Sequence, residues 1–97
     1  MFKKYNRYKV LKVFLDSPTQ EFGLREIGRL AKLAPVSVLN YLEEFEKEEL
    51  IIKLEKKGRP VYKAERENEN FIFYKKLSIL YELNDSGLIE YLWQKLA

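Results

Sequence analysis

Cationic side chains are the groups in this sequence whose spacing suggests a site. Arg25, Arg29 and Lys32 recur at offsets of four and three, the spacing of one helix face. Lys53, Lys56, Lys57, Arg59 and Lys63 follow in a second cluster around a glycine. Residues 1–41 hold eight basic and three acidic side chains, whereas residues 42–52 hold five Glu and a single Lys. Residues 53–63 then hold five basic residues against Glu55, and residues 64–97 hold four basic and six acidic. The net charge of +3 therefore conceals two basic segments separated by an acidic one. Brought together by the fold, they make one positive face able to hold a polyanion; kept apart, they are ordinary solvated surface.

Catalytic chemistry finds little support. Cys and His are absent, which removes disulfides, zinc sites, thiol nucleophiles, Ser-His-Asp triads and histidine pH switching. A metal would need carboxylates alone, and the two aspartates, Asp16 and Asp85, are isolated. The dense run Glu43 to Glu49 fits a solvated helix face better than a carboxylate cluster. Gly23, Gly28, Gly58 and Gly87 lie far apart and in no phosphate-binding loop. No enzymatic activity, no metal and no cofactor are expected. No apolar run approaches the ~20 residues of a membrane span, and the N-terminus lacks a signal-peptide pattern. The expectation is a cytoplasmic protein without a membrane partner. Lys and Glu, 13 each against two Asp, show a bias common in heat-adapted organisms.

The elements that position these charges can be read from periodicity and breakers. At 97 residues, 46% of them apolar, the chain forms one structural domain. Phe2 to Leu15 suits an amphipathic helix that Asp16-Ser17-Pro18 ends. Its Lys3, Lys4, Arg7, Lys9 and Lys12 either join the positive face or remain solvated, with Tyr5 and Tyr8 beside them. Thr19 to Gly23 is a brief strand. Leu24 to Leu33 is a helix with Leu24, Ile27, Leu30, Ala31 and Ala34 on its apolar face and Arg25, Glu26, Arg29 and Lys32 on the other. Ala34-Pro35 breaks the chain, and Pro35 opens a new helix because its missing N–H would be unpaired there anyway. Val38, Leu42 and Phe45 give that helix, running to residue 48 or 49, a buried stripe. Leu50 to Lys56 alternates with period two, Lys57-Gly58-Arg59-Pro60 turns, and Val61 to Glu65 returns, which makes a β-hairpin. Glu67 to Asn70 connects to a helix over Phe71 to Leu83, apolar at Ile72, Phe73, Leu77, Leu80 and Tyr81. Asn84 to Gly87 breaks it. A last helix, capped by Asp85 or Ser86, carries Leu88, Ile89, Leu92, Trp93 and Leu96. The class is mostly α with a small β-hairpin, an α+β domain without βαβ alternation.

Two helices, a tight turn and a hairpin make a helix-turn-helix with a wing. Here the run Leu24 to Ala64, LREIGRLAKLAPVSVLNYLEEFEKEELIIKLEKKGRPVYKA, resembles the winged helix-turn-helix superfamily of prokaryotic transcriptional regulators, of MarR- and ArsR-like, archaeal type. The superfamily pattern is a helix of form xxIAxxxGLS, then xxTVxxxLxxLExxGLI, then a basic hairpin. Ile27, Ala31 and Leu33 take the core positions of the first helix, Val38, Leu42 and Phe45 those of the second. The resemblance implies a DNA-binding domain over residues 1–66, with helix 35–48 in the major groove of double-stranded DNA and no enzymatic role. Carried over by position, Pro35, Val36, Ser37 and Asn40 face the bases: Asn40 toward adenine, Val36 toward a thymine methyl, Ser37 toward a phosphate or base. Arg25, Arg29 and Lys32 suit phosphate contacts. Lys53, Lys56, Lys57 and Arg59 lie along the wing, whose tip is expected on the backbone or in the minor groove, where arginine favours narrow A·T-rich tracts. The helix itself departs from a DNA-reading pattern. Its N-terminal half has no Arg or Lys, and its C-terminal half carries Glu43, Glu44, Glu46, Glu48 and Glu49.

Residues 67–97, the two added C-terminal helices, hold Phe71, Phe73, Tyr74, Tyr81, Tyr91 and Trp93. They either finish the core or form a homodimer interface, as in related regulators. A looser resemblance is to small archaeal winged helices joined to, or adjacent to, a minimal nucleotidyltransferase. The Gly-Ser and paired-Asp signature of that enzyme is not in this chain. As such a piece, it would serve as a protein-interaction or adaptor module, with Val36, Leu39 and the acidic helix meeting the partner.

Overall fold

The computed structural model describes the backbone of residues 2–85 and the side-chain surroundings of residues 5–80. The expected last helix, from Leu88 to Leu96 with its cap at Ser86, lies outside the described residues. So do the side chains of Lys3, Lys4, Tyr81, Tyr91 and Trp93.

The chain order is α1 (Phe2–Asp16), β1 (Phe22–Gly23), α2 (Leu24–Ala31), α3 (Pro35–Lys47), β2 (Ile51–Lys56), β3 (Arg59–Ala64) and α4 (Glu69–Asp85). The strands form one antiparallel sheet in the order β1-β3-β2. In α1, Val10, Leu11, Phe14 and Leu15 are buried, four residues at offsets of three and four. They meet Ile27 and Ala31 of α2, and Val38, Leu42 and Phe45 of α3, in one core. Phe22 of β1 closes its edge, its ring lying edge-to-face against Phe14 at 5.7 Å.

The turn between α2 and α3 is tight because α2 stops at Ala31, two residues earlier than its periodicity predicts. Lys32 takes left-handed backbone (φ 58°), and the Leu33 N–H donates back to the Gly28 carbonyl at 3.0 Å. This five-residue reach is the signature bond of a Schellman stop. A Cβ on Gly28 would lie 3.0 Å from the Leu33 carbonyl oxygen, so the close return of the chain depends on glycine there. Gly28 is buried together with Ile27 and Ala31. Leu30, expected on the apolar face, is instead 54% exposed, and Ala34 is exposed as well. The buried stripe is rotated toward Gly28, where the backbone itself makes the contact.

α3 ends in the same way. Glu49 is left-handed (φ 60°), and the Leu50 N–H reaches the Phe45 carbonyl at 2.9 Å. β2 then begins at Ile51. Ile52 and Leu54 share one face, as alternation requires, but the buried side chains of the sheet lie on the other, where Ile51 is opposite Ala64 and next to Tyr62. The hairpin turn contains two residues, Lys57 and Gly58, both at positive φ (54° and 77°). That is the type I′ geometry which matches strand twist. Arg59 and Pro60, expected in the turn, are the first residues of β3, paired with Lys56 and Glu55. Pro60 falls at a non-hydrogen-bonded position beyond the end of β1, so its missing N–H interrupts no ladder.

α4 starts at Glu69 because the Asn68 side chain accepts the Phe71 N–H at 3.0 Å, an N-cap. It continues through Asn84 and Asp85, where the sequence predicts a break. Phe71 and Ser78 face the core, and Lys75 donates to the Leu15 carbonyl at the end of α1. Ile72, Phe73, Leu77, Ile79 and Leu80 are exposed by 40–57%. The apolar positions expected to bury this helix mostly face away from the domain.

Candidate nucleic-acid interface

Strand pairing decides which cations meet. β1 adds to β3 with Gly23 opposite Val61. Arg25 lies two residues after Gly23 and Arg59 two before Val61, so the pairing carries the first turn of α2 alongside the base of the wing. Leu24, Arg25 and Glu26 on one side, and Arg59, Pro60 and Val61 on the other, line an open groove of about 530 Å³. Both arginines are exposed. Arg29 follows Arg25 one turn along the outer face of α2, and Lys32 continues in the left-handed turn; both are exposed. Lys57 occupies the wing tip. Of these five cations the structure brings Arg25 and Arg59 to one groove, while Arg29, Lys32 and Lys57 are exposed on α2, its turn and the hairpin tip.

Two predicted wing cations have other neighbours. Lys56 is exposed but its Nζ lies 2.6 Å from Oε1 of Glu21, an ion pair that offsets part of its charge. Lys53 points to the sheet face covered by the C-terminal half of α3. It shares a groove of about 600 Å³ with Glu46, Glu49, Glu65 and Glu67, away from Arg59. Its charge also acts on Tyr62, the residue opposite it in β3. Burial pushes the Tyr62 hydroxyl above its usual 10.0; Lys53 opposes the shift, and Glu46 and Glu43 add to it.

The outer surface of α3 is apolar at its start. Pro35 and Asn40 are exposed, Val36 is 74% exposed and Leu39 37%, whereas Ser37 is half-buried. Val38, Leu42 and Phe45 fix this orientation by filling the core behind. The acidic second half is anchored from α1. Arg7 lies 2.6 Å from Glu48 and 3.4 Å from Glu44, with its guanidinium 4.8 Å from the centre of the Phe45 ring. Arg7, which the sequence leaves either on the positive face or solvated, is a clamp between α1 and α3. No charge count gives this role, because it depends on the crossing of two helices distant in sequence. Among the described residues no group of carboxylates is placed to hold a metal ion, and no helix is long and apolar enough to cross a membrane.

A helix-turn-helix preceded by a helix and a short strand and followed by a hairpin that pairs with that strand is a winged helix-turn-helix fold. A solved structure of a possible transcriptional regulator from Methanosarcina mazei Go1 shares it: the TM-score is 0.57 at 20% identity, over 82% of this chain and 72% of that one. No protein-family model matches the sequence, and no curated protein matches it significantly.

Proposed function

We propose that this chain is a transcriptional regulator, acting in the cytoplasm, that binds double-stranded DNA with α3 in the major groove and the wing on the backbone and minor groove. The observation that carries the reading is the convergence of Arg25 and Arg59 on one open groove beside the helix-turn-helix. A cation on each wall of a groove suits two phosphates of one backbone segment better than an ordinary solvated surface. In this reading the exposed Arg29, Lys32 and Lys57 add phosphate contacts, and Pro35, Val36, Ser37 and Asn40 supply the face toward the bases. Lys53 and Lys56 contribute less, since carboxylates already surround or pair them. The fold shared with the Methanosarcina mazei protein supports the reading, and the exposed apolar face of α4 supports a homodimer.

The test is a fluorescence-anisotropy titration of mixed-sequence duplex across a range of salt. Arg25→Ala, Lys57→Ala and Arg59→Ala each weaken binding for all sequences and reduce the log–log salt slope by about 0.9 per lost phosphate contact. Unchanged affinity and slope in all three variants would falsify the interface. The exposed Val36 and Leu39 also suit a protein surface, such as an adjacent nucleotidyltransferase; that reading predicts no duplex binding even at low salt.

A further inference from the structure

Resting on the DNA-binding reading, we propose that α3 selects A·T base pairs, through thymine methyl groups and adenine edges. The surface that its first turns present is limited chemically. Val36, Leu39, Asn40 and Glu43 recur at offsets of three and four and are all exposed, so they form one outward stripe. None of these four is a cation; Lys47, the one basic residue of α3, continues the same face one turn further on, at the end of the helix beyond Glu43, Glu44 and Glu46.

Each base pair shows the major groove a distinct edge. Guanine offers two acceptors, O6 and N7, and is read by the donors of Arg or Lys. The first three turns have neither, and the Glu43 carboxylate, an acceptor only, faces the guanine edge unfavourably; cytosine N4 is the one group of a G·C pair that it suits. Adenine offers N7 as acceptor and N6 as donor, the complement of the Asn40 amide, which has both kinds of group on one end. Thymine is the base that carries an apolar group into the groove. Val36 and Leu39 gain from burying that methyl and gain nothing from the polar edge of a G·C pair. The wing agrees independently. Lys57 occupies the two-residue tip, and a cation inserted into a minor groove is held best where the groove is narrow, in A·T tracts. Both grooves are then read for the same base pairs, with α3 supplying the choice and the cations of α2 and the wing supplying affinity.

The experiment compares full-length protein on two mixed-sequence duplexes of equal length, one A·T-rich and one G·C-rich, and on the A·T-rich duplex with deoxyuridine in place of thymidine. The expected result is a preference of roughly tenfold or more for the A·T-rich duplex. Each thymine methyl buried against Val36 or Leu39 contributes roughly fourfold, lost in the uracil duplex. Val36→Ala then binds thymine and uracil duplexes more nearly alike, and Asn40→Ala narrows the A·T preference, with both variants keeping the salt slope of the wild type. Equal binding to the A·T-rich and G·C-rich duplexes, with a normal salt slope, overturns the selectivity and leaves DNA binding intact. An A·T preference with no uracil effect and unchanged by Asn40→Ala also overturns it, because the choice would then lie with the wing. Absence of binding to every duplex at low salt overturns the DNA-binding reading itself.

Discussion

Among the described residues, Lys32, Glu49 and Lys57 hold left-handed backbone, and each stands where the chain must reverse. Lys32 and Glu49 occupy the glycine positions of the superfamily pattern. The helices stop there regardless, because bonds such as Leu33 N–H to Gly28 and Leu50 N–H to Phe45 over-determine the geometry. The strain is real: a side chain in this region costs about 1–2 kcal/mol, against the smaller entropic cost of glycine. Glu49→Gly is therefore expected to stabilise the fold by about 0.5 kcal/mol or more, read as a raised urea midpoint at unchanged slope. A lowered midpoint would mean that the Glu49 side chain contributes more than its backbone costs. Lys32 and Glu49 were not legible as left-handed positions from residue type, since lysine and glutamate are helix formers. Pro35 and the Lys57-Gly58 pair were legible, because their backbone preferences are strong.

Among the elements, α3 was read correctly from Pro35 and the stripe Val38, Leu42, Phe45. Leu30 fits the apolar period as well as Gly28 does not, yet burial is centred on Gly28, because the returning chain passes close to its backbone. For α4 the pattern was ambiguous in principle: apolar residues surround the helix, so period alone does not identify the core face. Phe71 and Ser78 turn inward, and Phe73 and Leu80 outward. Between elements, the Arg7 clamp holds the acidic half of α3 against α1. Partly exposed ion pairs and one cation–π contact make it worth about 1 kcal/mol. Arg7→Ala is expected to lower thermal stability by that amount and to leave duplex affinity within about twofold. A large loss of DNA affinity at unchanged stability would place Arg7 in the interface instead.

At the scale of the molecule, the sequence shows two basic segments but not how the fold divides them. Lys53 and Arg59 belong to one charge cluster in the chain, and the sheet sends Lys53 to the carboxylates of α3 while β1 brings Arg59 to Arg25. Only the pairing of β1 with β3, 38 residues apart at Gly23 and Val61, makes that distinction. The outward face of α4 has its consequence at this scale too. Five large apolar side chains exposed along one helix face are costly in a monomer. Sedimentation equilibrium at micromolar concentration is expected to give a dimer, and Phe73→Glu a folded monomer. A monomeric wild type would remove the homodimer.

The salt dependence of duplex binding tests most directly the proposed phosphate contacts of α2, its turn and the wing tip. Binding that weakens steeply with salt, and less steeply once Arg25 or Arg59 is alanine, is the predicted result. Binding that is absent at low salt, or insensitive to salt in the wild type, would contradict it.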